Sequence, residues 1–147
     1  MVEKQFVQKM VDGFRSKFAN NILLQKIESS LMGNGIPDLY YCIDGKSGWI
    51  EVKVARVFAD ESWQCPHVRP EQILWHARHA QARGVSWVLV GVPSYKKQGI
   101  AYLVLLPGIF SKLLKTERWT EDTARRYDKM FAWKDWEQMR KRLLPEF

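Results

Sequence analysis

The stretch that decides the fold runs Gly35-Ile36-Pro37-Asp38-Leu39-Tyr40-Tyr41-Cys42-Ile43-Asp44-Gly45-Lys46-Ser47-Gly48-Trp49-Ile50-Glu51-Val52-Lys53-Val54. Its two halves, 37–43 and 49–54, are rich in aromatic and β-branched residues, and Asp44-Gly45-Lys46-Ser47-Gly48 between them is turn chemistry. An antiparallel hairpin is expected. Strand side chains alternate between faces, so Leu39, Tyr41 and Ile43 share one face with Ile50, Val52 and Val54, and that face belongs to the core. The other carries Asp38, Tyr40 and Cys42 beside Trp49, Glu51 and Lys53. With the turn centred near Gly45-Lys46, Asp38 faces Lys53 and Tyr40 faces Glu51. Two carboxylates and an ammonium then meet at the sheet end away from the turn.

That patch has two readings. Carboxylates on rigid strands can share Mg²⁺, which prefers oxygen ligands and keeps waters for a substrate phosphate. Such a metal acidifies water and neutralises charge on a phosphoryl oxygen, while a neighbouring Lys orients the water or stabilises charge building on phosphorus. The plainer reading is a cross-strand ion pair of Asp38 and Glu51 with Lys53, worth about 0.2–1 kcal/mol.

Upstream, Val7, Met10, Val11, Phe14 and Phe18 recur at helical spacing and predict an amphipathic helix over 3–19. A strand at 22–27 and a Ser/Gly loop at 29–35 follow. Downstream, 55–69 lacks periodicity and reads as a loop. Pro70 suits the first turn of a helix running to 83, with Gly84 as its stop. Within it, Ile73, Ala77, Ala80 and Gly84 make a small-residue inner face, and Gln72, His76, His79 and Arg83 form a polar stripe. Strands at 85–92 and 99–106 come next, then a short helix to 115 and one or two helices within 120–143. The order α-β-β-β-α-β-β-α implies an α/β domain with a mixed sheet and helices against it.

The whole chain of 147 residues is one domain's worth. The expected division is a core over 1–115 and a basic helical appendage over 116–147. A 46% apolar content is enough for a packed core, and the composition is not that of a disordered chain. No apolar run approaches the roughly 20 residues of a membrane span, and Met1-Val2-Glu3-Lys4-Gln5 lacks a signal peptide's apolar region. Cys42 and Cys65 form no CxxC pair, which disfavours structural zinc and fits an intracellular protein with reduced thiols. His76 and His79 are an i, i+3 pair without a third ligand.

The net charge of +7 is uneven: residues 1–93 hold 11 basic and 9 acidic side chains, residues 94–147 hold 12 and 7. Such a balance suits a polyanionic partner, since each neutralised phosphate releases counterions; solubility alone is the bland alternative.

The spacing Gly35-Ile36-Pro37-Asp38, twelve residues, then Glu51-Val52-Lys53 resembles the signature of PD-(D/E)XK nucleases. It is similar to the VRR-NUC branch, which includes small phage and bacterial nucleases resembling Holliday-junction resolvases. Arg69-Pro70-Glu71-Gln72, Trp75-His76 and Gly84 before a hydrophobic strand resemble the family's later segment, although Arg69-Pro70 stands where the family places a small hydroxylic residue. The resemblance covers residues 35–92 and, loosely, the first helix. It implies a restriction-endonuclease-like fold and a Mg²⁺-dependent DNA endonuclease, with Mn²⁺ as a possible substitute. Asp38, Glu51 and the carbonyl of Val52 would be metal ligands, Lys53 the catalytic lysine, and Gln72 a support for Lys53 or the scissile phosphate. Glu3, or else Glu28, would complete the acidic set. Branched or junction DNA and a homodimer with two active sites are the implied partners. Arg56, Trp63, His67 and Arg69 in the loop after Lys53, His76 on the second helix, and Lys96-Lys97 after strand 85–92 are candidate DNA contacts. Arg125-Arg126, Lys129, Lys134 and Arg140-Lys141-Arg142 form a further basic segment, with Tyr127, Phe131, Trp133 and Trp136 expected to pack it down. A restriction-like, single-strand or end-processing nuclease, and a non-catalytic DNA-binding relic, are the alternatives.

Overall fold

A computed structural model describes residues 2–27, 35–127 and 129–144. The elements are α1 (Glu3–Lys17), β1 (Ile22–Lys26), β2 (Leu39–Ile43), β3 (Lys46–Val54), β4 (Arg56–Val57), β5 (Trp63–Gln64), α2 (Pro70–Gln81), β6 (Ser86–Pro93) and β7 (Ile100–Pro107). A 3₁₀ turn (Gly108–Phe110) leads into α3 (Ser111–Thr116), followed by α4 (Glu121–Arg126), β8 (Met130–Ala132) and α5 (Trp136–Leu143). Six strands form one sheet in the order β1-β2-β3-β6-β7-β8. β3 and β6 are parallel, and their other neighbours antiparallel. A parallel pair needs a long crossover, and α2 supplies it.

The hairpin register differs from the expected one. Leu39 pairs with Ile50 and Ile43 with Lys46, so Asp38, one residue beyond, faces Glu51 rather than Lys53. The reason lies in the turn: Asp44 and Gly45 both have positive φ (51° and 78°). Two consecutive positive φ angles make the tight two-residue turn whose twist suits a hairpin. This shifts the register by two residues and so preserves the faces. Leu39, Tyr41, Ile43, Ile50 and Val52 are buried as expected, with Val54 half-buried against them.

The sheet has a core on each face. α1 places Phe6, Met10, Val11 and Phe14 over the first face, joined by Met139 and Leu143 of α5. The second face packs Val88, Val90, Val104 and Leu106 under Trp63, Val68, Leu114 and Trp119. The segment expected to be a loop, 55–69, is therefore a ribbon of β4 and β5 that carries a core tryptophan. Trp63 is fully buried, donates from Nε1 to the Tyr102 hydroxyl at 2.7 Å and stacks on Trp119, so it is not a DNA contact.

The C-terminal segment enters the sheet. β8 pairs with β7, and its short run went unread because three residues carry too little alternation to register. Phe131, Trp133 and Trp136 pack against the first core, as expected, whereas Tyr127 is exposed. α2 ends at Gln81, and the left-handed residue that closes it is Arg83 (φ 65°), not Gly84. Among the described residues no helix is long and apolar enough to cross a membrane, and Cys42 and Cys65 are both free.

Candidate active site

Pro37 and Asp38 sit where the chain enters β2, and Gly35 shows why the motif begins with glycine. Its φ is +86°, and a Cβ there would collide with the backbone carbonyl of Glu71 at the start of α2. The close approach brings the start of β2 against the helix that covers β3. Asp38 then turns toward β3, where its Oδ2 accepts a 2.8 Å hydrogen bond from the amide of Val52.

Glu51 and Lys53 occupy successive positions on the second face of β3, beside Val88 and Val90 of β6. Both are buried, at 3% and 4% exposure. Lys53 Nζ lies 3.6 Å from Glu51 Oε1 and 4.0 Å from Glu3 Oε1 at the start of α1. Gln72 donates from Nε2 to the same Glu51 oxygen at 2.9 Å, and its Oε1 accepts from the Arg69 amide at 2.9 Å. Gln72 at the third helical position thereby supplies the reaching-back half of a capping box, and Pro70, which has no amide hydrogen to satisfy, suits the first helical position, so Arg69-Pro70 is compatible with the helix.

The electrostatics are those of crowded acids. Burial, then the charge of Asp38, pushes the Glu51 carboxyl up to about 9, outweighing Lys53. Glu3 is also raised, chiefly by burial, with Lys53 and His67 pulling the other way. Glu51 Oε2 is buried without a hydrogen-bond partner. A divalent cation fits this donor set: hard oxygens, an orphaned carboxylate oxygen, and one ammonium against three acids. Asp38 and Glu51 would hold it. Among the described residues no three His, Cys, Asp or Glu side chains converge as a closed ligand cluster, so a backbone oxygen such as that of Val52 would be needed alongside the two carboxylates.

The remaining candidates are scattered. Arg56 and Arg69 are exposed near the patch; Arg69 pairs with Glu71 at 3.2 Å. Lys96 and Lys97 are exposed in the loop after β6, at the sheet end toward which β3 also runs. Glu28 lies outside the described residues. His76 is not a surface contact: it is fully buried, with Nδ1 2.8 Å from Ser86 Oγ. The helix faces differ in part from expectation: Ile73 packs on the second core as expected, but Gln72 and His76 are buried while Ala77 and Ala80 are exposed. Gln72 and His76 turn inward because Glu51 and Ser86 wait there as partners, which no periodicity reveals, whereas Arg83 of the same stripe stays exposed. His67, exposed three residues after β5, lies near enough for its charge to act on Glu3.

No protein-family model matches the chain, and none of the curated proteins matches it. Among solved structures it is similar to a Holliday junction resolvase, Hjc, from the archaeal hyperthermophile Archaeoglobus fulgidus. The TM-score is 0.51 at 10% identity, over 89% of this chain and 98% of that one. The chain therefore has a resolvase-like, restriction-endonuclease-like fold: a mixed six-stranded sheet flanked by helices.

Proposed function

We propose that the protein is a metal-dependent, structure-selective DNA endonuclease that hydrolyses phosphodiester bonds. The observation that carries this reading is the convergence of Asp38, Glu51, Lys53 and Gln72 at one end of the central hairpin, within a resolvase-like fold. Bound Mg²⁺, or Mn²⁺ in its place, would supply a Lewis acid and an acidified water. Asp38, Glu51 and the Val52 carbonyl would hold it. Lys53, kept on the rigid strand, orients the attacking water and stabilises charge on the phosphorus oxygens. Gln72 fixes the rotamer of Glu51, and Glu3 fixes that of Lys53 from the opposite side. Arg56, Arg69, Lys96 and Lys97 offer positive charge around the centre for the DNA backbone.

Branched DNA is the first substrate to test. Resolution of a four-way junction needs paired cuts, hence a homodimer with two centres. Exposed Ile109, Leu113 and Tyr127 make the 99–136 region the candidate interface. An intracellular role in DNA recombination or repair, including in a phage-infected cell, follows from this substrate.

Incubating the protein with a four-way junction, a splayed arm and linear duplex, each with Mg²⁺ and with EDTA, tests the reading. Symmetric nicks confined to the junction and absent with EDTA are expected. Cutting of every substrate, or of one linear sequence, retains the nuclease and removes the junction role. No cutting with any divalent metal leaves the DNA-binding alternative. Light scattering that gives a monomer mass with junction cleavage intact would remove the dimer.

A further inference from the structure

Beside the acidic centre, the second face of the sheet carries aromatic rings that belong to neither core. The register places Gln25, Tyr40 and Trp49 in one row across β1, β2 and β3. This row lies two residues from Asp38 and Glu51 on the same face, about 7 Å along the strands. The rings continue outward. Tyr40 is 5.4 Å from Trp49, Trp49 is 5.8 Å from Trp75 of α2, and Trp75 stacks on His79 at 4.6 Å. Alongside Trp75 and His79 opens a groove of about 390 Å³, with Leu74 and Arg78 in its wall. Tyr40, Trp49, Trp75 and His79 are all only half-buried, whereas the core tryptophan Trp63 is fully buried. Large rings held at the surface in a line, without joining a hydrophobic cluster, are expensive to expose unless something covers them.

We propose that this strip stacks unpaired nucleobases of a DNA strand whose backbone crosses the Asp38/Glu51 centre. The substrate would then offer base faces unstacked at the branch point of a junction, beside the bond to be cut. The inference rests on the reading of that centre as the place of phosphodiester cleavage. In a paired duplex the base faces are occupied by neighbouring bases, and only a strand with unpaired nucleotides offers them to aromatic side chains. Exposed Arg78 in the groove wall supplies positive charge for a phosphate backbone, while Glu71, which also lines the groove, is neutralised by Arg69 at 3.2 Å. Continuity of the strip with the acidic centre gives the strand its direction.

The test separates binding from cleavage. In EDTA, a fluorescein-labelled oligodeoxythymidine of about 12 nucleotides and a hairpin duplex are titrated with the wild-type protein, reading anisotropy and tryptophan fluorescence. The oligonucleotide is expected to quench tryptophan emission. Trp49→Leu and Trp75→Leu should each weaken oligonucleotide binding by about tenfold, and Trp75→Phe should restore most of it, because an aromatic face is retained. Duplex binding should change by less than about twofold, since it rests on phosphate contacts. Thermal melting identifies any variant that fails to fold, and Tyr40→Leu then carries the comparison. Unquenched emission, or folded variants that bind the oligonucleotide as wild type does, would overturn the inference. With Mg²⁺, wild-type cleavage of the four-way junction that survives undiminished in Trp49→Leu also overturns it and leaves the nuclease reading standing. Absence of any wild-type cleavage removes the nuclease reading and with it the strand's path, whatever the titration in EDTA gives.

Discussion

Gln72 Nε2 lies 2.9 Å from Glu51 Oε1, and the same side chain accepts the Arg69 amide through Oε1. One amide group thereby joins the entry of α2 to the buried acid of β3. Gln72→Leu removes both bonds and leaves a buried carboxylate oxygen with less support. A loss of about 1–3 kcal/mol in stability is expected, measurable as a lower urea midpoint at unchanged slope. Cleavage should fall as well, because Glu51 loses its rotamer restraint. A variant with full stability and full activity would show that Gln72 does not position Glu51.

Removing an acid should act oppositely on stability with and without metal. Glu51→Gln relieves a buried carboxyl crowded by Asp38, so in EDTA the variant should melt no lower than wild type. In Mg²⁺ the wild type should gain stability by mass action, about 2.7 kcal/mol at a hundredfold excess over the dissociation constant, and Glu51→Gln and Asp38→Asn should gain little. Both should lose cleavage while still binding DNA. Equal stabilisation of all three proteins by Mg²⁺ would place the metal elsewhere.

Lys53→Ala separates the roles of the charged groups. It should retain Mg²⁺-dependent stabilisation yet cut about 10²–10³-fold more slowly, the scale of a lost group that stabilises transition-state charge. Calorimetric titration with Mg²⁺ and single-turnover cleavage report the two effects. Loss of metal binding would mean that Lys53 organises the carboxylates instead of acting on the phosphate.

His76 predicts an acid limb in stability. Its burial, with the positive charges of His79 and Lys53, holds its pKa down at about 4, against 6.5 unfolded. Between these values the unfolded chain binds more protons than the folded one, so stability is complete above pH 6.5 and is lost as pH falls toward 4. A depression of this size corresponds to about 3 kcal/mol. Urea melts of wild type and His76→Gln at pH 7 and pH 5 isolate this contribution. Identical pH slopes in the two proteins would exclude it.

Gly35→Ala tests the junction of motif and helix. Its left-handed backbone and the clash of a Cβ with the Glu71 carbonyl should cost about 1–3 kcal/mol. A neutral substitution would mean that α2 can move away from the start of β2.

Much of this was legible locally. Alternation at 38–43 and 49–54 settles which side chains share a face, because parity survives a register error of two residues. The spacing from Gly35 to Lys53 marks the acidic patch, and the stripe Val7, Met10, Val11, Phe14 announces α1. Tertiary structure decided what depends on partners distant in sequence. The turn at Asp44-Gly45 sets Asp38 against Glu51. The approach of α1 brings Glu3 within 4.0 Å of Lys53, a distance that no spacing along one helix encodes. α2 turns Gln72 and His76 inward and leaves Ala77 and Ala80 in solvent, since a buried polar group is tolerated wherever a hydrogen-bond partner meets it. Periodicity records which residues of a segment lie together; which of those faces is buried depends on what the rest of the chain brings opposite it.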